Sequence, residues 1–223
     1  MSQRPDVDVF MVFDCDGVLV DSERLVQRVE MQLITELGWP ITIDEVRSEH
    51  LGRSAAEVMA NIERRTGRAI PDDFVRRRDD LLRVSFTTEL EAVAGVREAL
   101  DELVALGYRS CIASSGTHDR MRLTLGRTGL RSRFEGRIFS ASEVEKGKPE
   151  PDLFLHAARR MGVAPSDCVV VEDSPSGIAA AARAGMRSIG FAADTPVSLL
   201  RGADLTIEHM DSLVEAISRL GTT

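Results

Sequence analysis

Four short segments of this 223-residue chain carry side chains whose types and spacing could do chemistry together. Phe13-Asp14-Cys15-Asp16-Gly17-Val18 sets two carboxylates where an apolar run ends. Residues i and i+2 of an extended segment face the same way, so Asp14 and Asp16 can look into one crevice while Cys15 points away. Gly17 lets the chain turn sharply. Val169-Val170-Val171-Glu172-Asp173 repeats the pattern, and Ser174-Pro175 then reads as the N-cap and first residue of a helix. Because Ser174 supplies that cap, Asp173 is not needed for it. Ile112-Ala113-Ser114-Ser115-Gly116-Thr117 ends another run with hydroxyls and a glycine before a helix. Backbone N–H groups and hydroxyls at a helix N-terminus suit phosphate, although most such serines taken singly are only caps or turn residues. Lys148-Pro149-Glu150-Pro151-Asp152 sets a lysine in a rigid loop before a further helix. Only two of the 28 basic residues are lysines, Lys146 and Lys148, so a lysine here is less a neutral draw than in most chains. Lys146 reads as an exposed loop residue.

Together the segments are far more specific than any one alone. Asp14, Asp16, Glu172 and Asp173 in one crevice are electrostatically unstable without a cation. Oxygen donors with no nearby histidine or cysteine point to Mg²⁺. Lys148 and helix N-terminal amides add positive potential. That set suits a phosphoryl group, whose oxygens metal and lysine neutralise while a carboxylate attacks in line. At an effective dielectric of about 20, a unit pair at ~4 Å interacts by about 4 kcal/mol. Two or three such interactions are large against the roughly 1.4 kcal/mol that changes a rate tenfold.

The elements that must position these residues follow from apolar patterning. Val9 to Phe13 is an unbroken apolar run, as in strands buried on both faces of a parallel sheet. Similar runs recur at Tyr108 to Ala113, Cys168 to Val171 and Arg187 to Phe191. Between the later runs, Val96 to Leu106, Asp152 to Met161 and Pro175 to Ala184 carry helical spacing, each closed by a glycine. Strand alternating with helix predicts a doubly wound, Rossmann-like α/β core with a parallel sheet. The first connection is anomalous: more than ninety residues separate Phe13 from Tyr108, where a crossover needs only about a dozen. Most of that interval reads as helix, over Ser22 to Leu37, Ser54 to Arg65 and Pro71 to Thr87. An α-helical domain inserted after the first strand is therefore expected over residues 20–88, with the core built from 1–19 and 89–223.

Composition excludes several classes. Apolar residues make up 43% of the chain and charged residues 29%, enough for a packed core. No uncharged apolar stretch of about 18 residues exists, so no membrane span is expected. The N-terminal residues lack an apolar signal region, and Cys15, Cys111 and Cys168 form no metal or disulfide framework. The expected location is a reducing cytoplasm. Thirty-six acids against 28 bases, a net charge of −8, argue against nucleic-acid or anionic-membrane partners. His50, His118, His156 and His209 are scattered without a zinc pattern. Arg76-Arg77-Arg78, followed by Asp79 and Asp80, reads as a solvated face. Trp39 reads as a packing residue. A monomer is expected, with a homodimer as the alternative.

In these residues the chain resembles the haloacid dehalogenase-like superfamily over nearly its whole length. Asp14-x-Asp16-Gly17-Val18 is similar to the first family motif, Ser114 to the second, Lys148 to the third, and Glu172-Asp173 to the fourth. The phrases Asp16 to Glu23 and Gly147 to Asp152 resemble the β-phosphoglucomutase-like phosphatase branch. The resemblance implies that Asp14 is the nucleophile, forming an aspartyl-phosphate. It implies that Asp16 protonates the leaving oxygen and later deprotonates the hydrolytic water. It implies that Asp14, the Asp16 carbonyl and Asp173 hold Mg²⁺ with Glu172 nearby, and that Ser114, Lys148 and the amides of Ser115 and Gly116 hold the phosphoryl oxygens. The inserted domain is implied to be a cap that closes over a small phosphorylated metabolite, a sugar phosphate or related phosphomonoester, with Glu23, Arg53 and Ser54 toward the leaving group.

The same resemblance separates reactions. Asp16 favours phosphate chemistry over carbon–halogen cleavage, and a lysine-free inserted domain disfavours phosphonate cleavage. Mutases of the branch carry a cap-loop arginine where aligning on Gly52 places Ala55, a histidine where Val26 stands, and a cap lysine that this chain lacks. Phosphatase is therefore expected over mutase, with Arg53 as a substitute cation that keeps the mutase open. Outside catalysis the alternatives are a receiver-like phospho-signalling protein, disfavoured by Asp14-x-Asp16 and the insertion, and a non-catalytic binding relative.

Overall fold

The structure is a computed structural model that describes residues 9–50 and 55–220. The chain divides into two compact units, one of Met1–Asp21 with Glu91–Thr223 and one of Ser22–Leu90. These edges lie two residues from the expected ones. Asp21 N–H donates to the Glu91 carbonyl at 3.0 Å, and Val20 bridges Ala92, so both sides of the connection stay with the sheet.

The first unit is a six-stranded, wholly parallel sheet. Its strands are β1 (Phe10–Phe13), β2 (Arg109–Ser114), β3 (Ile138–Ser140), β4 (Cys168–Glu172), β5 (Arg187–Phe191) and β6 (Leu205–Ile207). Their order is β3-β2-β1-β4-β5-β6, with β1 in the middle. The order reverses there, which opens a crevice outside the carboxyl ends of β1 and its neighbours. Every β1 residue is buried, because helices cover both faces. Phe10 and Val12 pack with Leu153, Phe154, Ala157 and Ala180 in one cluster. On the alternate register Phe13 meets Phe134 edge-on, with centroids 6.2 Å apart. Strands β3 and β6 have three residues each, too few to show a period, and the sequence did not predict them.

The second unit holds helices α1 (Glu23–Glu36), α2 (Ile43–His50), α3 (Ala55–Thr66) and α4 (Phe74–Thr88). Helix α1 buries Leu25, Val29, Leu33 and Ile34, and packs on α2 and α4. Helix α4 begins three residues after the expected Pro71, because Phe74 N–H closes a turn on the Pro71 carbonyl at 2.9 Å. Helix α2 was not predicted. Thr42 and Glu45 form a reciprocal cap there, with Thr42 N–H to Glu45 Oε2 at 2.8 Å and Glu45 N–H to Thr42 Oγ1 at 3.2 Å. Trp39 lies under the Arg65 guanidinium, 5.1 Å from its ring centre.

The sheet unit is completed by α5 (Val96–Ala105), α6 (His118–Arg127), α7 (Asp152–Met161), α8 (Pro175–Arg183) and the unanticipated α9 (Leu213–Leu220). All three cysteines are buried free thiols. Among the described residues, no helix is long and apolar enough to cross a membrane.

Candidate active site

The chemistry-bearing segments meet where β1, β2 and β4 end. Asp14 follows β1 directly, and its N–H donates to the Val171 carbonyl at 3.0 Å, which continues the β1–β4 ladder. Its carboxylate is therefore held beside the end of β4. Lys148 Nζ donates to Asp14 Oδ1 at 2.7 Å and to Glu172 Oε1 at 2.6 Å. The Lys148 side chain is only 3% exposed, and its ammonium sits 4.8 Å from the Phe154 ring centre. Burial alone would lower the lysine pKa, but Asp14 and Glu172 outweigh it and hold the group above the ordinary lysine range.

Glu172 is committed on both sides, since its Oε2 accepts the Ser174 N–H at 2.7 Å. Its two carboxylate oxygens are thus divided between the Lys148 ammonium and the backbone at the start of the next helix. Gly177, in the first turn of α8, makes room for it: a Cβ there would lie 1.9 Å from the Glu172 carboxyl group. Gly177 was not singled out from sequence. A glycine inside a helical run was its visible signal.

Asp16 lies two residues beyond Asp14. Its Oδ2 forms an ion pair with Arg120 Nε at 3.1 Å. Its Oδ1 is buried with no hydrogen-bond partner among the described residues. Arg120 was not predicted as a site residue. Ser114, at the end of β2, is buried and accepts the Gly116 N–H at 3.2 Å. Ser140 Oγ donates to the Gly116 carbonyl at 2.7 Å and pins the loop from the neighbouring strand. Ser115 in this loop is exposed. Thr117 caps α6 by accepting the Arg120 N–H at 3.2 Å. A Cβ on Gly116 would lie 3.5 Å from Ser114 Oγ and 3.7 Å from Asp16 Oδ2, ordinary contact distances that place this backbone beside both side chains.

Asp173 closes against the first segment. A Cβ on Gly17 would fall 2.1 Å from Asp173 Oδ2, and Gly17 has a φ of +74°. Only glycine satisfies both demands. The structure thus brings Asp14, Asp16, Ser114, Gly116, Lys148, Glu172 and Asp173 to one sheet edge. Burial, reinforced by Glu172 and Asp16 and opposed by Lys148, pushes the Asp14 carboxyl up to about 7. Among the described residues no three acidic, histidine or cysteine side chains stand together as a preformed metal cage, and the acids at this edge offer only oxygen donors. That donor set fits a hard divalent cation such as Mg²⁺.

Glu23 lies in the helical unit. With Gln27, Glu30, Arg47, His50 and Arg78 it supplies the polar part of a cavity of about 290 Å³, whose other wall is apolar. Arg78 therefore lines a cavity, where the arginine run was expected only to face solvent. Arg76 and Arg77 do pair at the surface, with Asp73, Asp80 and Glu36. Arg53 and Ser54 lie outside the described residues.

A model of the haloacid dehalogenase-like hydrolases matches residues 11–185. The 6-phosphogluconate phosphatase of Escherichia coli is 30% identical over 184 residues, which is 82% of this chain and 81% of that protein. A conserved haloacid dehalogenase-like protein of unknown function from Agrobacterium tumefaciens superposes with a TM-score of 0.88 at 34% identity, covering 96% of this chain and 99% of that one. A family hydrolase from Deinococcus radiodurans, crystallised with bound phosphate and sodium, superposes with a TM-score of 0.83 at 30% identity, covering 98% of both chains.

Proposed function

From the premise that this chain belongs to the haloacid dehalogenase-like hydrolases, in the β-phosphoglucomutase-like phosphatase branch, and is a phosphomonoester hydrolase, we propose that it is Mg²⁺-dependent and works through an aspartyl-phosphate on Asp14. The observation that carries this reading is the buried Asp14–Lys148–Glu172 chain, with a second acid, Asp16, beside the Ser114–Gly116 loop.

Asp14 attacks phosphorus with one carboxylate oxygen, and the ester oxygen leaves with a proton from Asp16. Asp16 then takes a proton from the water that attacks the acyl phosphate, which returns Asp14 and releases phosphate. Lys148, held by Glu172, keeps the buried nucleophile in place and lessens its repulsion toward the incoming dianion. Ser114 and the amides of Ser115 and Gly116 hold the phosphoryl oxygens at the start of α6. Asp14, the Asp16 carbonyl and Asp173 would hold Mg²⁺, which neutralises charge on the phosphoryl oxygens when bound.

Specificity is assigned to the helical unit as a cap, with its half-polar cavity suited to a hydroxylated carbon skeleton. A sugar phosphate or sugar-acid phosphate is the proposed substrate class. The bound phosphate of the Deinococcus radiodurans hydrolase and the substrate named for the Escherichia coli phosphatase support the reading. The proposed location is cytoplasmic.

A panel of phosphorylated sugars, sugar acids and polyols, with p-nitrophenyl phosphate, tests it. Phosphate release that needs Mg²⁺ and falls by orders of magnitude in Asp14→Asn is the expected result. An Asp14→Asn variant as active as the parent would remove the nucleophile. An isomerised sugar phosphate in place of free phosphate would make the protein a mutase.

A further inference from the structure

We propose that Arg120 is a positioning residue for Asp16. It anchors Oδ2 so that Oδ1 is presented to the leaving oxygen. The inference rests on the phosphatase reading above.

Arg120 occupies the first turn of α6, where its own N–H is capped by Thr117. A cation in that turn opposes the helix dipole, which disfavours positive charge at an N-terminus. The acid of the same turn, Asp119, is 86% exposed and pairs with Arg122 at 2.5 Å. Arg120 instead reaches across to the loop after β1 and meets Asp16 at 3.1 Å, with the two side chains only 33% and 20% exposed. The contact with Asp16 gives an arginine in this first turn a partner outside its own helix.

The contact is one-sided. Arg120 Nε lies 3.1 Å from Oδ2 as an ion pair and not as an aligned hydrogen bond, while Oδ1 stays buried with no hydrogen-bond partner among the described residues. Fixing one oxygen fixes the carboxyl plane, and so the direction of the other. The bare backbone of Gly116 lies beside the pair: a Cβ there would meet Ser114 Oγ at 3.5 Å, and Arg120 Cδ and Asp16 Oδ2 each at 3.7 Å. Arg120, the acid and the phosphate loop thus converge on one point. An acid mispositioned by about 1 Å can lose roughly 100-fold in rate.

The experiment compares two leaving groups. p-Nitrophenolate leaves with little help from an acid, whereas a sugar alkoxide needs the proton. Arg120→Met, Arg120→Lys, Asp16→Asn and Arg120→Met/Asp16→Asn are assayed on p-nitrophenyl phosphate and on the alkyl phosphate turned over fastest in the panel. Thermal unfolding and bound Mg²⁺ are measured alongside. Arg120→Met is expected to lose roughly 10- to 100-fold in kcat/KM on the alkyl ester and much less on the aryl ester, because kcat/KM reports leaving-group departure and not the later hydrolysis that both esters share. Arg120→Lys should regain part of the difference. The double variant should be no slower than Asp16→Asn alone, because both act through one carboxyl group. Equal losses in kcat/KM on both esters, or losses that multiply with Asp16→Asn, would make Arg120 a structural ion-pair partner and overturn the proposal. A parent that releases no phosphate from either ester would instead overturn the phosphatase reading, and this inference with it.

Discussion

Two ion pairs in this molecule have the same N–O separation and opposite settings. Lys148 meets Glu172 at 2.6 Å in the sheet unit, with side chains 3% and 1% exposed. Arg77 meets Glu36 at 2.6 Å in the helical unit, with side chains 41% and 40% exposed. Distance alone would rank them equal. Burial separates them, because water screens the outer pair and is withheld from the inner one. The inner pair also carries a second acid, Asp14, at 2.7 Å, so the lysine balances two negative groups. Desolvating such groups costs several kcal/mol per ion, and removal of one partner leaves that cost uncompensated. The sheet unit thus holds a buried cluster of charge, while this pair of the helical unit stays in contact with water.

The largest test of this contrast is Lys148→Met. It leaves Asp14 and Glu172 buried without their cation. Activity is expected to fall by at least about 100- to 1,000-fold. Stability should fall by about 3–5 kcal/mol, read by urea unfolding. Adding Glu172→Gln should restore stability in part and activity not at all. A stability loss under about 1 kcal/mol for Lys148→Met would erase the difference between the pairs.

Gly17→Ala comes next. The new methyl group would overlap Asp173 Oδ2 at a backbone angle that favours glycine. The left-handed conformation alone costs roughly 1–2 kcal/mol for a residue with a Cβ. Displacement of Asp173 is expected to raise the Mg²⁺ concentration for half-maximal activity at least about tenfold, a loss of roughly 1.4 kcal/mol in binding. Unchanged Mg²⁺ dependence would detach Asp173 from the cation site.

The parts of this contrast differ in how far sequence discloses them. Asp14, Asp16, Ser114 and Asp173 each stand at or just past the end of an apolar run, and buried parallel strands place such ends together. Lys148 stood out because lysine is rare in this chain. The use of Glu172 was hidden, since its bond to Lys148 spans a loop and a helix, and spacing cannot say which acid turns toward which cation. Arg120 was hidden for the same reason, although an arginine in a first helical turn is a local misfit that can be read. Helix α2 had a readable Thr42-x-x-Glu45 cap, whereas β3 and β6 were too short for a period. Pro71-Asp72-Asp73 resembled a helix start but forms the turn before one, because proline and acids serve both.

The smallest effect belongs to the exposed pair, and it sharpens the comparison by its size and its sign with pH. The Glu36 carboxyl is held below its ordinary value of 4.5, first by the Gln32 side chain and then by Arg77. A depressed carboxylate pKa means that the folded state prefers the ionised form. The contribution is therefore complete above about pH 4.5 and is lost as pH falls through the lower folded value. Both partners are well over a third exposed, so screening limits the pair to about 0–1 kcal/mol. Glu36→Gln should lower stability by no more than that at neutral pH, and the difference from the parent should shrink as the solution is acidified below pH 4.5. Salt near 1 M, where the screening length is about 3 Å, should shrink it further at neutral pH. The stability loss in Lys148→Met should persist in the same salt, because solvent ions do not reach its buried partners. A Glu36→Gln loss that matched Lys148→Met in size and in salt resistance would show that burial does not set the value of these two contacts.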